Sequence, residues 1–255
     1  MLPALVLATV TALDGGAEPA GPPPGLACLP KWYPVKAVKA DAGWAMRLPD
    51  GTTVPYDDGK AKTPAELVES PDMEDTYGPP YRQGPIVPVT AENDGPGRVR
   101  YYPLLEAAYG SSKRQVDTVR VTFFGKHVMV HRRVLEPFNR VMARLDEAVK
   151  RDGSVLPFLQ KVGGTFNWRK ISDTDRRSAH SYGISIDLNV ARSNYWEWQR
   201  PKAPLVWKNR FPQAVVDAFE AEGFIWGGRW DHYDTMHFEY RPELLDPACR
   251  GPASP

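Results

Sequence analysis

The sequence is poor in cysteine, in long apolar runs and in charge of one sign. Only Cys28 and Cys249 occur among 255 residues, which excludes a small disulfide scaffold and any zinc site built from four thiolates. A metal, if one is held, must rest on His and carboxylate. No apolar run approaches the ~18 residues that a bilayer span needs, so no stable membrane insertion of the mature form is expected. The 32 Lys and Arg nearly cancel the 31 Asp and Glu, and a formal charge of +1 gives no field that would favour nucleic acid as a partner. Internal repeats are also missing.

What remains is ordinary globular usage, with 42% hydrophobic and 25% charged residues, enough for a core in one large domain or two small ones. The 26 Pro are roughly twice the usual ~5% share and imply a loop-rich chain. Leu2 to Leu13 reads as the apolar core of a signal peptide, although no Lys or Arg precedes Lys31, and export to the periplasm or the extracellular space is expected. A Pro- and Gly-rich arm follows to about residue 30. In an exported protein a Cys28 to Cys249 bridge would close nearly the whole chain, worth roughly 5 kcal/mol by loop entropy; two unpaired thiols are the alternative.

From Trp32 to Pro103 turn signals interrupt any long period, so short strands and wrapped loops are expected. Thr118 to Phe124 and His127 to Val130 are β-rich runs around Gly125-Lys126, a hairpin signature. Val134, Leu135, Phe138, Val141, Met142, Leu145 and Val149 recur at helical spacing and predict a helix near 134 to 150. Ile184, Ile186, Leu188 and Val190 alternate with Ser185, Asp187 and Asn189 over a strand from Gly183 to Val190. Pro212 to Glu222 reads as a helix stopped by Gly223. Thr235 to Tyr240 alternates again, with His237 and Glu239 on the polar side. Six of the eight Trp fall between Trp168 and Trp230, suited to walling a cleft, though core packing is the commoner use.

Five His are available to a metal. His127 and His131 sit in a strand-like stretch that would separate them by about 13 Å, too far for one ion. His180 and Asp187 can converge if a tight turn at Gly183 folds the chain between them, and His237 would complete two imidazoles and one carboxylate. That set leaves tetrahedral zinc an open position, as in catalytic sites. Asp234 and Glu239 are the carboxylates near enough in sequence to act as general base. The bland alternative is that His180 caps a turn and Asp187 bonds a neighbouring loop.

Ser178-Ala179-His180-Ser181-Tyr182-Gly183-Ile184-Ser185-Ile186-Asp187, followed by Asp234-Thr235-Met236-His237, resembles the signature of the VanY-like D-alanyl-D-alanine carboxypeptidase and L-alanyl-D-glutamate endopeptidase family of bacterial cell walls. Gly223 to Trp230 and His237-Phe238-Glu239 resemble its endopeptidase branch, and Gly164 to Arg169 its segment with a substrate-polarising Arg. The resemblance spans about Val119 to Tyr240. It implies an α+β fold of the hedgehog/DD-peptidase type, a small antiparallel sheet flanked by helices, with one zinc ion on His180, Asp187 and His237. It further implies Asp234 as base and Arg169 on the scissile carbonyl or a substrate carboxylate, a role for which Arg176 and Arg177 compete. Glu239 would orient His237, with the base as its other role; Ser178 would lie near the zinc or shape the turn; His232 would aid the transition state or remain an exposed loop residue.

The implied enzyme is a zinc metallopeptidase acting on peptidoglycan stem peptides, most simply an L-alanyl-D-glutamate-type endopeptidase. A D-alanyl-D-alanine carboxypeptidase is the alternative within the family, and a non-catalytic zinc-bearing binding module is the alternative outside it. The expected organisation is signal peptide and arm over 1–30, a wrapping region or small lobe over 31–118, the peptidase domain over 119–249 and a tail over 250–255. A monomer is expected. No motif marks residues 1–118, so a wall-binding role for that segment is a third alternative.

Overall fold

The computed structural model describes residues 21–199 and 205–250; the apolar stretch Leu2 to Leu13 and nearly all of the tail lie outside them. The fold is α+β. Near the N-terminus, β1 (Lys36–Ala40), β2 (Gly43–Arg47) and β3 (Thr53–Pro55) form an antiparallel sheet in that order. A helix, α1 (Tyr102–Tyr109), precedes the hairpin of β4 (Thr118–Phe123) and β5 (Lys126–His131). Its turn is Phe124-Gly125, one residue earlier than expected: Phe123 pairs with Lys126, and both turn residues adopt positive φ, as a type I′ turn requires.

The long helix α2 (Leu135–Arg151) buries Phe138, Val141 and Leu145 of the stripe that the sequence period marked, and Ala148 beside them. Burying each large apolar side chain contributes about 1.5–3 kcal/mol. On its exposed side, Arg140 and Arg144 reach Glu222 at 2.5 and 2.7 Å, beyond the end of α3 (Gln213–Glu220). That helix is shorter than the 212 to 222 expected, because Pro212 is an extended cap and the chain turns from Ala221 into Gly223 at φ +89.

The central sheet has the order β6 (Ser185–Asp187), β8 (His237–Tyr240), β7 (Phe224–Trp226), all antiparallel. β6 spans only three residues of the expected 183 to 190. Gly183 still belongs to the preceding turn, Asn189 leaves extended geometry with φ 18, and Val190 is 42% exposed rather than on the apolar face. β7 is fully buried, so it lacks the alternation that betrays a strand.

Alternation along β8 divides the sheet into two faces. Phe238 stacks on Phe219 of α3 with centroids 4.1 Å apart, and Tyr240 packs on Phe224, which in turn meets Phe138 of α2. This side is the main core. His237 and Glu239 face the other way, opposite Asp187 and Ser185 respectively.

Residues from the first hundred cover that other side and its neighbourhood. Tyr33 donates to Glu243 at 2.5 Å, Tyr81 to Glu220 at 2.6 Å, and Arg100 to Glu239 at 2.8 Å. Each of these three carboxylates is buried, and a buried carboxylate without partners would cost several kcal/mol. Cys28 and Cys249 form a disulfide with Cα atoms 5.2 Å apart, beside an ion pair of Lys31 with Asp246 at 2.8 Å. Farther out, the Lys62 ammonium lies 3.1, 2.9 and 2.6 Å from carboxylate oxygens of Asp58, Asp72 and Asp75.

Candidate metal centre

Asp187 and His237 are directly opposed across the β6–β8 ladder, so their side chains share one face within reach of each other. His180 arrives from the turn Ala179–Tyr182, which Gly183 closes in left-handed conformation at φ +67. A Cβ at Gly183 would also meet the backbone nitrogen of His131 at 2.9 Å. Glycine is therefore required twice over, by its torsion and by the close approach of the β4–β5 hairpin.

His180 Nε2 lies 3.2 Å and His237 Nδ1 3.0 Å from the same oxygen, Asp187 Oδ1. The far side of each ring fixes its tautomer. His180 donates from Nδ1 to the carbonyl of Thr165 at 2.7 Å, and His237 donates from Nε2 to Glu239 at 3.1 Å. The other two nitrogens, His180 Nε2 and His237 Nδ1, both face Asp187, and on losing their protons they are the nitrogens that a metal would take. Ligands of tetrahedral zinc stand about 3.3 Å apart, close to the two contacts here. His180, Asp187 and His237 are buried or half-buried and could hold one ion.

The charges agree with this arrangement. Burial works to raise the Asp187 pKa, yet His180 and His237 hold it well below the usual carboxylate range. Burial likewise works against charge on His237, but Asp187 and Glu239 push it up to about 10. Glu239 stays ionised against burial because Arg100 grips both its oxygens and Arg241 approaches at 3.6 Å.

The three donors line a cleft of about 380 Å³. Asp234 lines it as well, held by its backbone to Gly227 at 2.9 Å. Its Oδ1 is buried without a hydrogen-bond partner among the described residues. Burial, then the nearby Asp187, push the Asp234 pKa up to about 6, where a carboxyl group can both accept and return a proton near neutrality. Glu239 sits behind His237 rather than in the cleft.

The other expected residues divide. Arg169 stands on the cleft lining, exposed, with its guanidinium on the carbonyl of Lys170 at 3.2 Å. Arg176 lines the cleft beside Glu69 at 2.9 Å, whereas Arg177 stacks over Trp168 at 4.2 Å. Ser178 lines the cleft and makes no side-chain cap on its turn. His232 lines it too, 3.0 Å from Asp231 and edge-on to Trp196 at 4.3 Å. Trp196, Trp198 and Trp230 wall the cleft, while Trp226 belongs to the core. His127 and His131 stay away from the centre: His127 meets Thr122, and His131 accepts from the Arg133 backbone.

Several contributors carry no signal that the sequence reveals. Ser181 anchors the arginine loop by accepting from Arg169 N at 2.8 Å and donating to Arg169 O at 2.8 Å. Thr165 meets His180 through its carbonyl, while its hydroxyl accepts from Met129 N at 3.2 Å. Arg98 and Arg100 come from the segment without a motif, and only their alternation around buried Val99 hints at a shared side.

Two histidines and an aspartate that could hold one ion, opening on a cleft with a buried carboxylate, make a candidate metal centre. The comparison with known families narrows its class. Residues 172–240 match the model of the family described as D-alanyl-D-alanine carboxypeptidase, so this segment is similar to that peptidase family. The matched stretch contains His180, Asp187, Asp234, His237 and Glu239.

Proposed function

We propose that the protein is a zinc-dependent peptidase that hydrolyses peptidoglycan stem peptides, with His180, Asp187 and His237 as ligands and Asp234 as general base. The observation that carries it is the convergence of His180 Nε2 and His237 Nδ1 on Asp187 Oδ1 at the floor of the Asp234 cleft. Zinc held there supplies Lewis acidity and lowers the pKa of a water towards ~7.

The chain's own groups do the rest. Asp234 takes the proton of the attacking water through its unpartnered oxygen and delivers it to the leaving amine. Arg169 faces the carbonyl oxygen as charge develops on it. Glu239, pinned by Arg100, keeps the His237 ring in orientation and tautomer. Ser178 contacts substrate near the centre, and His232 steadies the transition state from the cleft wall. The aspartate at the base position and the Gly223 to Trp230 segment favour cleavage inside the stem, of the L-alanyl-D-glutamate type. Removal of the terminal D-alanine is the second specificity, favoured by the description of the matched family. A cell-wall substrate places the enzyme outside the cytoplasm, in keeping with the Cys28–Cys249 disulfide. Among the described residues no helix is long and apolar enough to cross a membrane.

Incubation of the purified protein with zinc and defined muropeptides, with and without chelator, tests this directly by product mass. Chelator-sensitive cleavage is expected. Zinc binding without any cleavage would instead establish a binding module.

A further inference from the structure

The cleft contains a cation that the peptidase chemistry above does not use. Arg98, contributed by the segment that precedes α1, lines the cleft with Asp234 and the metal donors. Its guanidinium has one acidic neighbour, Asp231, at 3.8 Å, beyond hydrogen-bond reach. The Asp231 carboxylate is already committed, accepting from the backbones of Asn93 at 2.8 Å and His232 at 2.7 Å, with His232 Nδ1 at 3.0 Å.

Each remaining arginine of the cleft has a contact within hydrogen-bond distance, and the proposed mechanism already assigns Arg169 to the carbonyl oxygen. Arg100 grips Glu239, Arg176 stands at Glu69, and Arg169 bonds the carbonyl of Lys170. Arg98 is about two-thirds covered, with 31% of its side chain accessible. Burial lowers its pKa, Asp231 opposes that, and Arg100 and Arg176 add to it. A guanidinium carries five donors in a planar fork that matches a carboxylate in two parallel bonds, and among the described residues no side-chain acceptor fills that fork.

We infer that Arg98 is the carboxylate-binding residue of the cleft and selects substrates with a free carboxylate close to the scissile bond. The anion-binding role open to Arg169, Arg176 and Arg177 then belongs to a residue of the N-terminal segment. The inference rests on the peptidase function proposed above, and it leaves Arg169 to the carbonyl oxygen. A stem peptide offers two such carboxylates, the α-carboxylate of its D-glutamate and the C-terminal carboxylate of D-alanine.

The test uses the zinc-loaded full chain and three stem peptides: unmodified, amidated at the D-glutamate α-carboxylate, and amidated at the C-terminus. For the wild type, one amidation lowers kcat/KM by about 10- to 100-fold, the worth of a charged hydrogen-bonded pair, and thereby identifies the source. In Arg98→Gln the unmodified peptide falls to the rate of that amide, whereas the amide keeps its wild-type rate. Arg98→Lys, which keeps the charge without the fork, lies between. A variant that still distinguishes acid from amide, or slows both equally, overturns the inference. If no peptide is cleaved, the peptidase function fails separately, and the same peptides are titrated against the fluorescence of the cleft tryptophans. Binding that weakens on amidation in the wild type but not in Arg98→Gln supports the inference; wild-type binding indifferent to amidation overturns it.

Discussion

The candidate metal centre and the N-terminal region build polar sites in opposite ways. In the central sheet, two of the three donors face each other across one ladder, Asp187 opposite His237, with Glu239 next on the same face opposite Ser185. Chemistry placed on strand register is local and periodic, so it leaves a pattern in the sequence. In residues 21–118, polar contacts reach across more than a hundred positions, with Arg100 on Glu239, Tyr81 on Glu220 and Tyr33 on Glu243. These side chains come from loops and short elements, and each satisfies an acid that the C-terminal half buries. One region presents the reactive groups; the other supplies the countercharges that let their supports stay ionised away from water.

The contrast is sharpest for the donors themselves. His180→Ala or Asp187→Ala is expected to abolish zinc binding and reduce turnover to background, read by metal analysis and muropeptide cleavage; a variant that kept one zinc per chain would break the ligand set. Asp234→Asn should keep the metal and lose about 10²- to 10⁴-fold in kcat.

Across the joint between the regions, stability becomes the measure. Cys28 and Cys249 are 221 positions apart, and replacing both by Ser should cost up to about 5 kcal/mol in denaturant unfolding by loop entropy. Arg100→Gln leaves the buried Glu239 without its main partner and should cost about 3–5 kcal/mol. It should also weaken zinc affinity by about 10- to 100-fold through the freed His237 ring. If the two regions were independent, Arg100→Gln would leave zinc affinity unchanged.

The smallest effect concerns pH. His131 is buried against Tyr109 of α1 with centroids 5.0 Å apart. Burial lowers its pKa from 6.5 to about 4. The unfolded chain therefore binds this proton more readily than the folded one, and folding stability falls as pH drops from 6.5 towards 4. The loss should be about 1–3 kcal/mol. It should disappear in His131→Gln, as measured by unfolding at pH 7 and pH 4.5.

How much could be read from the sequence follows from the same contrast. Alternation in Thr235 to Tyr240 placed His237 and Glu239 on one face, and the apolar stripe of α2 appeared within a residue of its ends. The fold class was legible for that reason, whereas the candidate ligand set rested on the resemblance of the Ser178–Asp187 and Asp234–His237 segments. β7 was not, because a strand buried on both faces has no period. The outer end of β6 was overestimated, since apolar alternation through Val190 says nothing of the backbone at Asn189. Thr165 meets His180 through a carbonyl, which every residue possesses. Arg98 and Arg100 owe their places to tertiary packing, and no local spacing encodes a partner 139 residues away.

Lys62 adds a last consequence. Acidic groups crowd around residues 57 to 75, and the carboxylates of Asp58, Asp72 and Asp75 could have asked for a dissolved ion. The chain instead carries its own tethered ammonium into their midst, at an effective concentration that dilution cannot lower. A sequestering agent that removes zinc from the proposed His180 site should leave this ammonium in place. This corner of the protein should keep its shape through cycles of metal depletion and reloading, so that what returns with added zinc can be ascribed to one site.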